Sequence, residues 1–370
     1  MIINKIIFIA IAFLMLPISL SHGAPRIIIA ENGGGNDLLE HTLPAVTLAA
    51  VQGADYLGIS VVATADSELV VFNDLTLNRL TDVASVFFER SREDGNYYVI
   101  DFTLNELRQL RLMNVFDTGP VSLSLSLPTL KEELSLIRRL ETLLNRKIGI
   151  ALEIEKPWFH SDEGQDISGL VLDALQLFNY NSDKDKIYLQ CFDPEELQRI
   201  HNKLLPEKEM NLQLIQLIGK NDGLETRQRR AGSWEPYNYD WLYTNIGMRM
   251  IASYGAAIGL PGDVVADKQG TLLLGDYIES VQKHGLKVLV YSVDSKKTLE
   301  AHGMDLPALL ELYTKAGIDG FYTNSFYEVK QTIEAEAKKK ERHSDLPEFF
   351  SDLELSRPSA GNQTPDAGIH

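Results

Sequence analysis

Short apolar runs alternate with helical patterns along most of the chain. Residues 26–30 read as a buried strand, followed by a glycine-rich stretch at 31–36 and a helical one at 43–52. Strands are predicted next at 56–64 and 69–72, then at 148–154, 186–192, 212–218, 256–260, 286–292 and 317–323. Helical patterns at 167–178, 194–204, 273–284 and 306–316 separate most of the later strands. Several strands are continuously apolar rather than alternating, which suits parallel strands covered on both faces. Repeated β-α units therefore predict an α/β fold, a closed TIM (β/α)8 barrel. A doubly wound open sheet is the alternative, but no G-x-G-x-x-G or Walker-type loop supports it.

Two segments interrupt this rhythm. The connection from Asn73 to Lys147 is too long for one loop and carries its own pattern, so an inserted subdomain is expected over about 75–147, after the third strand. Within it Thr103 and Glu106 are spaced as a capping box for a helix at 104–112. Residues 221–240 are polar, with Arg227, Arg229 and Arg230 close together, and read as a loop over one barrel mouth. The barrel is expected to occupy residues 24–337, and 338–370 to form a polar, frayed and disordered tail.

Residues 6–20 are apolar apart from Ser19, follow one positive charge at Lys5, and precede the small-residue site Ser21-His22-Gly23. A membrane-spanning helix needs about 20 apolar residues. The run is shorter, so residues 1–23 are predicted to be a cleavable signal peptide rather than an uncleaved anchor. The expected mature protein is exported, periplasmic or secreted, with no stable membrane anchor after cleavage. Composition adds exclusions. Thirty-five basic and fifty-two acidic residues give a net charge of −17, which argues against nucleic-acid binding through bulk charge. The single cysteine, Cys191, excludes an internal disulfide framework and a multi-thiolate zinc site.

An ordered series of motifs carries a resemblance. The strand at 27–30 runs into Glu31-Asn32-Gly33 and then Glu40-His41-Thr42-Leu43-Pro44-Ala45. Asp55–Val61 and Val70–Thr81 follow, then Glu153-Ile154-Glu155-Lys156-Pro157-Trp158-Phe159, Gln190-Cys191-Phe192-Asp193 and Asp319–Asn324. Over residues 26–332 the chain resembles the glycerophosphodiester phosphodiesterase family. The resemblance implies the same barrel. It also implies metal-assisted hydrolysis of glycerophosphodiesters to an alcohol and glycerol 3-phosphate, with two histidines as acid and base and three carboxylates holding a divalent cation.

The chain departs from that pattern at the positions that carry the chemistry. Glu31 and Asn32 stand where the family has histidine and the phosphate-gripping arginine, and Asn73 stands at the second histidine. Gly58 and Ser60 replace two metal carboxylates and leave Glu153 alone of the three. Glu155 takes the position of the usual lysine, and Asn324 that of an aspartate on the last strand. Asparagine cannot transfer a proton as imidazole does. One carboxylate with waters holds Ca2+ or Mg2+ only weakly, so Glu153 marks at most a weak divalent-cation position.

These departures point first to a catalytically impaired member, a pseudoenzyme, that binds a small glycerophosphodiester-like molecule or lipid headgroup. An active hydrolase with a rebuilt site is the second reading. Glu153 and Glu155, two apart on one strand, point to the same side, and Glu31 should lie at the same mouth. Together they can form a new cation site or an acid–base pair; the preferred and simpler role for Glu155 is charge partner of a neighbour such as Lys156. A structural protein using the barrel surface is the third reading. Around the mouth, Glu40, His41, Asp74, Gln190, Trp158 and Asn324 are further pocket candidates. His41 and Asp74 are expected to cap or pack, and Trp158 either walls a lipid-derived alcohol or packs in the core.

Overall fold

The computed structural model describes residues 27–35, 38–113, 125–223, 225–294 and 296–344. The expected signal peptide at 1–23 and positions 345–370 of the expected tail lie outside the described residues. The strands are β1 Ile27–Ala30, β2 Tyr56–Ala63, β3 Leu69–Val71, β4 Gly149–Ile154, β5 Ile187–Cys191 and β6 Gln213–Leu217. They continue as β7 Arg227–Arg230, β8 Ser233–Pro236, β9 Ala257–Pro261, β10 Lys287–Tyr291 and β11 Gly320–Thr323. Eight of them pair in parallel in the order β1-β2-β4-β5-β6-β9-β10-β11, and β11 returns to β1 to close the barrel. Small and aliphatic side chains with two tyrosines fill its interior, among them Ile29, Ala151, Tyr188, Ile215, Leu289 and Tyr322. A larger apolar layer, including Val46, Leu134, Leu172 and Leu309, seals the helices onto the outside.

β3 is not a barrel strand; it pairs antiparallel with β2 at the edge. Both of its faces are covered, because Leu69 and Val71 join the barrel–helix layer while Val70 and the following Phe72 join a separate core. That second core, with Leu77, Phe102, Leu107 and Leu127, belongs to the insertion. The helix Leu130–Leu144 near its end instead buries Leu130, Leu134, Ile137 and Leu140 in the barrel layer, so it serves as the crossover between β2 and β4. The expected helix at 104–112 is shorter, Leu104–Leu107, although its Thr103–Glu106 capping box forms. Beyond it, Leu112 pairs with Thr81 and donates its N–H to Leu125, which draws the chain out of the helical path.

Two other expectations change. Within 221–240 the chain is not simply a loop: β7 and β8 form an antiparallel hairpin. Residues 338–344, expected in the frayed tail, continue the helix Phe326–Ser344. Alanine, glutamate and lysine are strong helix formers, and basic residues are favoured near a helix C-terminus.

Candidate functional site

The C-terminal ends of the barrel strands open onto a cavity of about 300 Å3. β1 delivers the first two lining residues. Its end runs into a 3-10 turn, Glu31–Gly33, in which Asn32 has φ 53°, Gly33 φ 77° and Gly34 φ 78°. Asparagine tolerates the left-handed region better than most residues. Gly33 is required for space as well, since a Cβ there would meet the Val46 nitrogen at 3.0 Å. The turn sets Glu31 and Asn32 in the cavity wall.

Strand register builds the floor. Ser60 of β2 lies level with Glu153 of β4, and Glu153 with Gln190 of β5. Neighbours in register on parallel strands face the same side, so all three line the cavity. Gln190 Nε2 donates to Glu153 Oε2 at 3.3 Å, and Tyr322 Oη donates to Gln190 Oε1 at 2.6 Å from across the barrel. Gly58, one inward step earlier on β2, also lines the cavity, where the β1 turn closes over it. A Cβ at Gly58 would lie 3.2 Å from both the Ala30 carbonyl oxygen and the Glu31 Cα.

Past the end of β4 the backbone does something that strand alternation does not foresee. Lys156 takes φ 43°, ψ 60° immediately before Pro157, a left-handed conformation that a pre-proline residue seldom adopts. Both Glu155 and Lys156 consequently line the cavity, and Lys156 Nζ donates to Glu155 Oε2 at 2.9 Å. The turn is fixed by its carbonyl, which accepts the Phe159 N–H at 3.0 Å and faces the His160 ring Nδ1 at 3.2 Å. His160 Nε2 in turn accepts the Ala63 N–H at 3.1 Å. That contact makes Nε2 the acceptor, so the proton belongs on Nδ1 and points at Lys156. Burial pushes the His160 pKa down to about 4, which keeps this strut neutral.

The cavity is acidic in composition but not fully charged. Burial, then Asp294 and Glu40, push the Glu31 pKa up to about 8. Asn324 donates to Glu31 from behind, Nδ2 to Oε2 at 3.4 Å. Glu153 is held well above the usual carboxylate range by burial, then by Glu155. Burial also raises Glu155, with the Lys156 ammonium pulling against it. For Lys156 burial disfavours the charge, yet Glu155, Glu225 and Glu153 outweigh it and keep the ammonium protonated. Near neutral pH the Glu31 carboxyl therefore tends to hold its proton, and burial shifts Glu153 in the same direction.

Several candidates lie outside this wall. His41 is 2% exposed, packs edge-on against Phe72 at 6.2 Å, and has its pKa pushed down to about 4 by burial. Arg79 gathers Glu40, Asp74 and Asn73, donating at 2.6, 2.8 and 3.3 Å; Asn73 and Asp74 line the cavity and Glu40 stands behind them. Trp158 packs against Trp234 of the β7–β8 hairpin at 5.2 Å, with the Arg227 guanidinium over its ring at 5.3 Å. Arg229 stacks likewise over Trp234 at 5.6 Å. Tyr322 also lines the cavity from within the last-strand motif; Glu225 and Tyr291 line it too, though no motif in the sequence marks them. Their signal lies in position alone, at strand ends or beside the hairpin.

The divalent cation implied by the resemblance does not fit these residues. Among the described residues no cluster of three or more His, Cys, Asp or Glu side chains is placed to hold a metal. Ser60 offers only a hydroxyl, and Gly58 offers no donor and little room for one. Glu155 is already engaged by Lys156. Hard cations require several anionic oxygens. Among the described residues no imidazole lines the cavity either, so the acid–base groups that remain are carboxyls, the Lys156 ammonium and the Tyr291 and Tyr322 phenols.

With this geometry in place, comparison with known proteins is specific. Residues 32–327 match the model of the glycerophosphoryl diester phosphodiesterase family. A glycerophosphodiester phosphodiesterase of Treponema pallidum is 38% identical over 308 residues, covering 78% of this chain and 86% of that protein. One from Haemophilus influenzae is 35% identical over 318 residues, covering 81% and 87%. Among solved structures, an Oleispira antarctica phosphodiesterase in complex with the product sn-glycerol-3-phosphate shares the fold. Its TM-score is 0.59 at 17% identity, over 84% of this chain and 97% of that one. Barrel, motif order and sequence identity agree, and the chain belongs to the glycerophosphoryl diester phosphodiesterase family.

Proposed function

We infer that this member of the family binds a glycerophosphodiester, or the glycerol-phosphate end of one, at its barrel mouth without hydrolysing it by the imidazole-and-metal route. One observation carries the reading: the cavity at the strand ends is intact, while Glu31, Asn32, Gly58, Ser60 and Asn73 line it where that chemistry would need histidine, arginine and carboxylates. Each acid–base group typically supplies about 10²–10⁴-fold in rate. With both imidazoles absent and a donor set unsuited to a metal, little of that catalysis is left to drive turnover. The test pairs an assay of glycerophosphocholine hydrolysis, with Ca2+ and with Mg2+, with calorimetric titration of the same compound. Binding without release of glycerol 3-phosphate is the expected outcome.

A second reading has its own support. The Treponema and Haemophilus relatives carry the name glycerophosphodiester phosphodiesterase, and Glu31, its pKa pushed up to about 8, lines the wall with Glu153, which burial also raises. A carboxylic acid with a raised pKa can protonate a departing alkoxide near neutral pH. This reading expects metal-independent turnover that Glu153→Gln abolishes. Persistence of turnover in EDTA, lost in that variant, decides for it.

A further inference from the structure

We propose that Lys156 is the anion-binding group of this cavity, a cation built into the chain, and that it lets the mouth take the phosphate of a glycerol-phosphate ligand without any divalent metal. The proposal rests on the reading of the cavity as a ligand site and names the group that grips the ligand there.

Four observations converge on it. Lys156 is the basic side chain that lines the cavity among the described residues, in a wall that also holds Glu31, Asp74, Glu153, Glu155 and Glu225. Arg79, the nearest alternative, spends its guanidinium on Glu40, Asp74 and Asn73 and does not line the cavity. The left-handed turn at Lys156 is costly for a residue before proline and persists because Phe159 and His160 both engage its carbonyl. Such over-determined strain tends to mark positions where a side chain must be aimed. Finally, the Lys156 side chain is 18% exposed and that of Glu155 8%, so the ammonium is held at the cavity surface rather than sealed away.

The chemistry follows from donor counting. An ammonium has three N–H donors. Glu155 takes one at 2.9 Å and fixes where the charge sits, which leaves donors for phosphate oxygens. Charge-assisted bonds of this kind are about twice as strong as neutral ones.

The test is calorimetric titration of the full chain with sn-glycerol 3-phosphate, in EDTA and again with excess Ca2+ or Mg2+. The expected result is equal affinity in both. Lys156→Arg should bind within a few-fold of the wild type, and Lys156→Met should bind at least about tenfold more weakly, the loss of one charge-assisted bond. Because Lys156→Met strands the Glu155 carboxyl, the double variant Lys156→Met/Glu155→Gln is measured beside it and should show the same loss with a normal melting curve. Wild-type binding only when metal is present overturns the Lys156 assignment while leaving the ligand site standing. So does undiminished binding by the double variant. Failure of the wild type to bind with or without metal instead removes the ligand-site reading itself.

Discussion

The barrel mouth and the crossover helix Leu130–Leu144 both bury glutamates, and Glu155 at the mouth and Glu133 on the helix are treated in opposite ways. At the mouth Glu155 is 7% exposed, paired with Lys156 at 2.9 Å, and borders a cavity. On the helix Glu133 is fully buried, and neither of its carboxyl oxygens has a hydrogen-bond partner. Burial alone pushes its pKa up to about 8. A buried carboxyl without a partner costs stability and signals no chemistry, whereas one held against an ammonium at the edge of a cavity is placed for use. Burial of an acid is therefore informative only together with its partner and the space beside it.

The largest effect is expected at Glu133. Its folded pKa of about 8 lies above the ordinary value of 4.5, so the folded state binds the proton more tightly than the unfolded chain. The stability this confers is fully present below pH 4.5 and is lost as pH rises toward 8. The loss amounts to about 5 kcal/mol at most. Urea unfolding of wild type and Glu133→Leu across this range should give difference curves with that slope, the variant being the more stable at pH 8 and above. Parallel curves would mean that Glu133 finds a partner.

The mouth predicts a smaller effect of the opposite sign. Removing Lys156 leaves Glu155 without its counter-charge, and breaking a buried pair from one side costs about 3 kcal/mol. Thermal unfolding should show Lys156→Met destabilised and the double variant with Glu155→Gln largely restored. An equal loss in both would make the pair's packing, not its charge, the source. Next in size is His160→Ala, which deletes the acceptor for the Ala63 N–H and the ring contact to the Lys156 carbonyl. Two hydrogen bonds predict a loss of about 2 kcal/mol. Weaker ligand affinity should accompany it, because the Lys156 turn is no longer held.

The smallest expected effect is on affinity. Glu31 is neutral below pH of about 8 and ionises above it, so an anionic ligand should bind roughly tenfold more weakly above that pH. In Glu31→Gln that step should vanish, a result calorimetry at two pH values reads directly.

Much of the framework is legible in the sequence, because parallel barrel strands are buried on both faces and read as continuous apolar runs. The same signal misleads at Leu69–Val71, where both faces are buried but the strand is antiparallel and lies outside the barrel. Residue pattern reports coverage, not direction. At the site, motif order brings Glu31, Asn32, Ser60, Asn73, Glu153 and Gln190 to one mouth, and the register of β2, β4 and β5 shows why. Sequence suggests a Glu155–Lys156 pair but not its place in the cavity wall. Alternation puts adjacent residues on opposite sides, and only the left-handed turn before Pro157 brings them together. Glu225 is hidden for a similar reason, and the last-strand motif contains Tyr322 without revealing its cross-barrel contact to Gln190, because both placements are long-range.

Whether this family barrel holds its ligand without hydrolysing it, as proposed, is decided by one measurement. Glycerophosphocholine is incubated with the full chain, with and without Ca2+, and released glycerol 3-phosphate is quantified beside the Glu153→Ala variant. The account predicts release indistinguishable from the enzyme-free control in every sample. Turnover by the wild type that Glu153→Ala abolishes would contradict it.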